Sequence, residues 1–259
     1  MTASADVKVL EIKVKELYRD VAERPRGPYH FELGRPLAER LGYETSLLDR
    51  LPPAAVESFA GVGHVFAHAD LSEGEAVIDL GSGSGMDAFY AALLVGASGR
   101  VVGIDFTPEQ LAKARRLGAA GGWSQVEFRE GRIESLPLPD QEFDCVVSNG
   151  VINLCPDKDR VFAEAARVLR PGGRLAISDI VSERQLKESI VCDASLWASC
   201  IGGAAQVDEY SAAIESSGLR IKQIRQNPYR FVSEQARNAS ARYGVVSISV
   251  LAVKQGGVS

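Results

Sequence analysis

The stretch Val77 to Asp87, VIDLGSGSGMD, constrains this chain more than any other. A short apolar run carrying Asp79 leads into Gly81-Ser82-Gly83-Ser84-Gly85, and a helix-like segment follows. Such a run reads as a buried strand. Glycine after it lets the backbone take positive φ and approach a ligand closely. The next helix turns its first free amides toward whatever lies there. A pyrophosphate-binding turn has the spacing G-x-G-x-x-G. Here Met86 stands at the third glycine position and Gly85 comes one residue early. Asp79 would repel a pyrophosphate but suits a cation such as an amino group.

A second acid, Asp105 in VVGIDF, closes the next strand twenty residues past Gly85. Acids at that place accept hydrogen bonds from ribose hydroxyls. A ribose plus a cationic head, without phosphate, describes S-adenosylmethionine. Ile133 in Gly131-Arg132-Ile133-Glu134 is placed to lie on an adenine ring, with Glu134 or backbone groups meeting its amino group. Asn149 in Ser148-Asn149-Gly150 ends the fourth strand, where ligands of open α/β sheets bind. The expected cofactor-binding set is Asp79, Gly81, Gly83, Gly85, Asp105, Phe106, Arg132, Ile133, Glu134 and Asn149.

The chain around this motif alternates strands and helices. AVIDL, RVVGIDF, VEFREG, FDCVVSNG and RLAISDI read as strands. DAFYAALLVG, TPEQLAKARRLGAAGG and DRVFAEAARVLRPGG read as helices, with Thr107 as N-cap of the second and Pro171-Gly172-Gly173 as the stop of the third. RIKQIRQNPYRF and VVSISVLAVK follow as strands joined by a polar connection, SEQARNASARYG, which suggests an antiparallel hairpin at the sheet edge. Residues 1–72 read as a helical N-terminal cap whose first helix carries the stripe Val7, Leu10, Val14, Leu17, Val21. Residues 73–259 form the cofactor domain, with a helical insertion at 182–217. The fold class is α/β, with a doubly wound, mostly parallel seven-stranded sheet.

The net charge of −5 and the absence of a basic run longer than Arg115-Arg116 argue against nucleic acid. No apolar stretch reaches the ~20 residues of a membrane span. Lys8, Glu11, Lys13 and Lys15 interrupt any signal-peptide core, so a cytoplasmic protein is expected. Cys145, Cys155, Cys192 and Cys200 read as thiols. None makes a CxxC pair, and no metal site is expected.

The span from Val77 to Asp179 resembles the class I S-adenosylmethionine-dependent methyltransferases, whose fold is Rossmann-like. Its closer likeness is to the arsenite methyltransferases, carried by VIDLGSGSGMDAF, GRVVGIDFTPEQLAKAR, VVSNGVINLCPDKDRVFAEAARVLRPGGRLAISDIV and LWASCIGGA. The resemblance implies S-adenosylmethionine as cofactor, a small-molecule methyl acceptor, and cysteine thiolates that hold trivalent arsenic. Family members place cysteines before the first strand, after Ser-Asn of the fourth, and before Gly-Gly of the insertion. This chain keeps the last as Cys200; Val62 and Gly150 stand at the other two positions. Cys155 or Cys192 is then the candidate second thiol. In-line methyl transfer needs little beyond alignment, and a base only for a protonated acceptor. His64, beside the replaced position 62, is the first candidate, followed by His30, His68, Tyr18 and Tyr29. A non-catalytic S-adenosylmethionine-binding protein and a nicotinamide-dependent oxidoreductase are the alternatives. The oligomeric state is left open.

Overall fold

In a computed structural model, residues 7–29, 31–187, 190 and 202–256 are described. Five parallel strands make the centre: β1 (Ala76–Leu80), β2 (Arg100–Asp105), β3 (Val126–Glu130), β4 (Phe143–Asn149) and β5 (Leu169–Ser182). β1, β2 and β4 are buried along almost their whole length, which matches their unbroken apolar sequences. The sheet order is β3-β2-β1-β4-β5-β8-β7. A two-residue β6 (Ala205–Gln206) pairs with the end of β5, making eight strands rather than seven.

Chain direction across the sheet reverses between β1 and β4, and ligands of open α/β sheets lie outside such a switch point. β8 (Val245–Lys254) runs antiparallel between β5 and β7 (Leu219–Gln226). The closing strands are thus antiparallel neighbours as expected, but β7 holds the edge. Their connection is a helix, numbered α10 (Glu234–Tyr243) in the order below and capped by Ser233. Its buried side is Ala236, Ala239 and Tyr243, too small and sparse a stripe to stand out in SEQARNASARYG.

Helices cover both faces. α6 (Met86–Val95) and α7 (Pro108–Gly121) lie on one, packed with residues of α2 (Arg35–Leu41), α3 (Thr45–Leu48), α4 (Pro53–Glu57) and α5 (Phe66–Ala69) in one buried cluster. α8 (Lys158–Val168) and α9 (Val207–Ser216) lie on the other. α1 (Val7–Glu23) lays Leu10 and Val14 on Leu154. Two local expectations need correction. Thr107 sits at the N-cap of α7, but its side chain makes no cap bond. α8 stops at Val168, and Pro171-Gly172-Gly173 falls within β5, where the register against β4 breaks.

Behind the carboxyl ends of the strands a buried polar knot ties β5, the short turn Ile152–Leu154 and α9 together. Asp179, one per cent exposed, accepts from Tyr210 Oη, Asn153 N and Ile180 N, each at 2.8 Å. Burial pushes its pKa up to about 6, against the pull of these donors. Removing the tyrosine hydroxyl leaves the carboxylate short of a donor and raises that pKa further. Tyr210→Phe is therefore expected to lose about 1–3 kcal/mol of stability in urea titrations. The loss should be largest above pH 6 and shrink as pH falls through that value, where a protonated Asp179 needs fewer donors.

Candidate active site

The glycine turn joins β1 to α6 at the switch point. Gly81 has φ 75°, and a Cβ there would come within 2.4 Å of Val151. Gly85, φ 93°, caps α6 and faces Phe128 and Phe89 rather than the cleft. Gly83 donates its N–H to Asp105 Oδ2 at 2.8 Å, and Thr107 N–H donates to Oδ1 at 2.8 Å. The acid at the end of β2 thus fixes the turn.

Three carboxylates are buried around this turn: Asp79, Asp87 and Asp105, at two, six and eight per cent exposure. Asp87 Oδ1 accepts from Tyr43 Oη at 2.6 Å and Oδ2 from Asn149 Nδ2 at 3.0 Å. Burial still lifts its pKa to about 6. Asp79 is lifted well above the usual carboxylate range, first by burial and then by Asp87 and Asp105. Its Oδ2 is buried with no hydrogen-bond partner, and Ser82 Oγ is likewise unpartnered. A buried acid oxygen without a partner beside a glycine turn suits a cationic donor, against which the acid ionises.

A cleft with about 1130 Å³ of empty space opens over these groups. It gathers Asp79, Gly81, Gly83, Asp105, Phe106, Arg132, Ile133, Glu134, Asn149 and Cys155 from the sequence-based set; Gly85 and His64 lie outside its lining. Phe106 and Ile133 supply apolar walls for a base, with Phe106 packed against the cluster of Leu10 and Val14 of α1. Residues that sequence reasoning missed are Asp87, Ser82, Ser84, Gln110, the Phe59–Gly61 segment and the α1 side chains Leu10, Glu11 and Val14. The α1 stripe was legible as apolar spacing, but spacing alone does not say that it faces a cleft.

Several assignments change in the structure. Asn149 lines the cleft, yet its amide is engaged by protein: Oδ1 accepts from Val62 N (2.7 Å) and Gly63 N (3.2 Å), and Nδ2 donates to Asp87, Gly63 O and Tyr43 Oη. It clips the segment before β1 to the end of β4. Arg132 is at the rim, paired with Glu11 at 2.5 Å and Glu134 at 3.2 Å. His64 is turned into an aromatic cluster with Tyr43, Phe66 and Tyr90, and burial takes its pKa down to about 4. It does not reach the cleft. Tyr29 donates to Arg24 O away from the site, whereas Tyr18 lines it. His30, Cys192 and Cys200 fall outside the described residues.

Cys155 is five per cent exposed and packs in one cluster with Ile133 and Ile152. Burial, then the charge of Glu134, raises its thiol pKa to about 12. It therefore stands beside the groups assigned to adenine. Val62 and Gly150, at the replaced cysteine positions, meet elsewhere: a Cβ on Gly150 would lie 3.2 Å from Val62 Cγ1.

Residues 71–226 match the family described as "Methyltransferase domain". An arsenic(III) S-adenosylmethionine methyltransferase from Chlamydomonas reinhardtii superposes with TM-score 0.66 at 30% identity, over 88% of this chain and 76% of that one. The chain belongs to the class I S-adenosylmethionine-dependent methyltransferases. It is one of their arsenite-methyltransferase-like members. Proteins called arsenite methyltransferase are 42% identical over 187 residues in Halobacterium salinarum and 46% identical over 180 residues in Aquipseudomonas alcaligenes. These alignments cover 72% and 67% of this chain, and 48% and 51% of the relatives. The chain spans about half the length of the curated relatives it matches. This membership removes the nicotinamide alternative.

The residues of this methyltransferase fit its cofactor. The orphaned Asp79 Oδ2 suits the amino group, Asp105 the ribose, and Phe106 with Ile133 the base. Because Asp79 must be ionised to hold an ammonium, affinity for S-adenosylhomocysteine should rise with pH above the usual carboxylate range, with proton release on binding. Calorimetry in buffers of different ionisation enthalpy measures that release. Asp79→Asn should weaken binding about 10- to 100-fold, the loss of a charge-assisted bond, and flatten the pH dependence.

Proposed function

We propose that this methyltransferase transfers a methyl group from S-adenosylmethionine to a small uncharged acceptor. The observation that carries the reading is the buried, unpartnered Asp79 oxygen at the floor of the cleft, beside Asp87 and Asp105. S-adenosylmethionine supplies a methyl group already activated as a sulfonium. The chain's task is then alignment and exclusion of water. Gly81 lets the turn pass under Val151, Asp105 fixes the turn, and α1 covers one side.

Charge supports an uncharged acceptor. Arg132 is the lone cationic side chain among the described lining residues, and Glu11 and Glu134 already pair with it. An anionic acceptor would find no free cationic side chain among these described lining residues. No histidine or lysine stands among the described lining residues, which supports an acceptor that needs no strong base. Phe59, Ala60, Gly61, Gly150 and Val151 supply small and apolar wall surface toward the end of β4.

The relatives' names make trivalent arsenic the first acceptor to test. A second reading, an organic acceptor, is favoured by the Val62–Gly150 contact and by the place of Cys155 beside Glu134. A cytoplasmic setting is in keeping with both; no described helix is long and apolar enough to cross a membrane.

Purified protein with methyl-labelled S-adenosylmethionine should be offered arsenite with excess thiol, and separately a panel of uncharged organic thiols, amines and phenols. Transfer to arsenite that drops at least about tenfold in Cys155→Ser, the loss of one directed ligand, supports the thiol route. Transfer to an organic acceptor that is unchanged in Cys155→Ser supports the second reading. Cofactor binding without transfer to any acceptor returns the protein to the non-catalytic alternative.

A further inference from the structure

Gln110 on α7 is two per cent exposed and touches both sides of the cleft. Its Oε1 accepts from Ser84 Oγ of the glycine turn at 2.5 Å, and its Nε2 donates to the backbone oxygen of Tyr18 on α1 at 2.8 Å. A carboxamide is planar, so fixing one end orients the other. One side chain thereby joins the turn to the helix that covers it.

The two ends of α1 are held differently. One turn along α7 from Gln110, the buried Lys113 donates to Ala22 O at 2.8 Å and to Ser58 Oγ at 2.7 Å, and Ser58 Oγ donates to Val21 O at 3.2 Å. Those carbonyls are among the last of α1, which lack intrahelical donors. An ammonium group there also complements the negative end of the helix. The other half of α1 is held by Leu10 and Val14 on Leu154, by Lys15 over the Phe106 ring at 4.9 Å, and by Glu11 on Arg132. That last ion pair is half-exposed, and exposed pairs are weak and screened by salt. The C-terminal end of α1 is thus held by buried hydrogen bonds, and the end near Leu10 by apolar contacts and an exposed ion pair.

We propose that Gln110 is a positioning residue that couples occupancy of the glycine turn to closure of α1 over the cleft, with Lys113 anchoring the hinge and Glu11–Arg132 as a releasable latch. The proposal rests on the cofactor assignment above. A ligand on the turn restrains Ser84, Ser84 aligns Oε1, and the amide plane then directs Nε2 at Tyr18 O. In an empty turn Ser84 is freer and the grip on α1 relaxes.

S-adenosylhomocysteine is the probe, so no acceptor is required. Hydrogen exchange of residues 10–18 is measured with and without it, and its dissociation rate is measured by stopped-flow displacement. In the wild-type protein, S-adenosylhomocysteine should add protection to α1. Gln110→Met, of similar size, should still bind it, lose most of that added protection, and release it about tenfold faster, as expected for one lost hydrogen bond. A merely structural role would lower α1 protection in the free protein and leave the added increment intact, which would overturn the proposal. A wild-type protein that binds S-adenosylhomocysteine with no change in α1 would overturn it too. Should Gln110→Met not fold, the surface change Glu11→Gln decides: wild-type dissociation should speed up with salt, and the variant should be fast and insensitive to it. Equal salt dependence in the two refutes the latch. If wild-type protein binds no S-adenosylhomocysteine at all, the cofactor assignment fails and the coupling with it.

Discussion

The burial of three neighbouring acids in the floor of the cleft is the constraint on which the rest of this structure depends. Burying a carboxylate is costly unless it is paired or protonated, and here three acids lie around one turn. The chain offsets two of them by its own means. Asp105 is held by two backbone N–H groups, and Asp87 by a tyrosine hydroxyl and an asparagine amide. Asp79 keeps an oxygen with no partner. A fold arranged this way is incomplete in energy terms until a cation arrives, and any such ligand stabilises the folded state by mass action. The glycine turn, the switch point and the covering helix all follow from the need to present that one oxygen while keeping water scarce around it.

The parts most legible in the sequence were those set by local backbone demands and by strand periodicity. The five parallel strands, the turn after β1 and the acid closing β2 all announce themselves in runs of a few residues. What escaped was set by contacts between distant segments. Asn149 looked like a ligand group because of its place at a strand end, but residues 62 and 63 and the Tyr43–Asp87 pair take up its amide. His64 looked like a base because of its neighbour in sequence, but it is turned away into rings contributed by α5, α6 and the α2–α3 loop. α10 was missed because alanine makes a faint stripe. For Asn149 and His64 deciding partners lie tens of residues away, where neither propensity nor spacing reaches.

The same network explains why the segment before β1 acts as a wall of the site. Val62 N and both polar atoms of the Gly63 backbone meet Asn149, while Val62 O accepts from Ser247 Oγ on β8 at 2.7 Å. A loop from the cap is thereby stitched to two strands that are not neighbours in sequence. The cleft wall is thereby tied to the sheet behind it, which serves alignment for an in-line transfer.

The Val62–Gly150 contact limits how this pocket can evolve. Gly150 has φ 73°, where any side chain is strained, and a new Cβ would press on Val62 at 3.2 Å. A change at 150 alone meets both penalties at once. A smaller residue at 62 removes one of them beforehand and leaves the backbone cost for the second step. The two positions are therefore epistatic, and the order of mutation matters: lineages that alter this wall can do so most easily by changing residue 62 first.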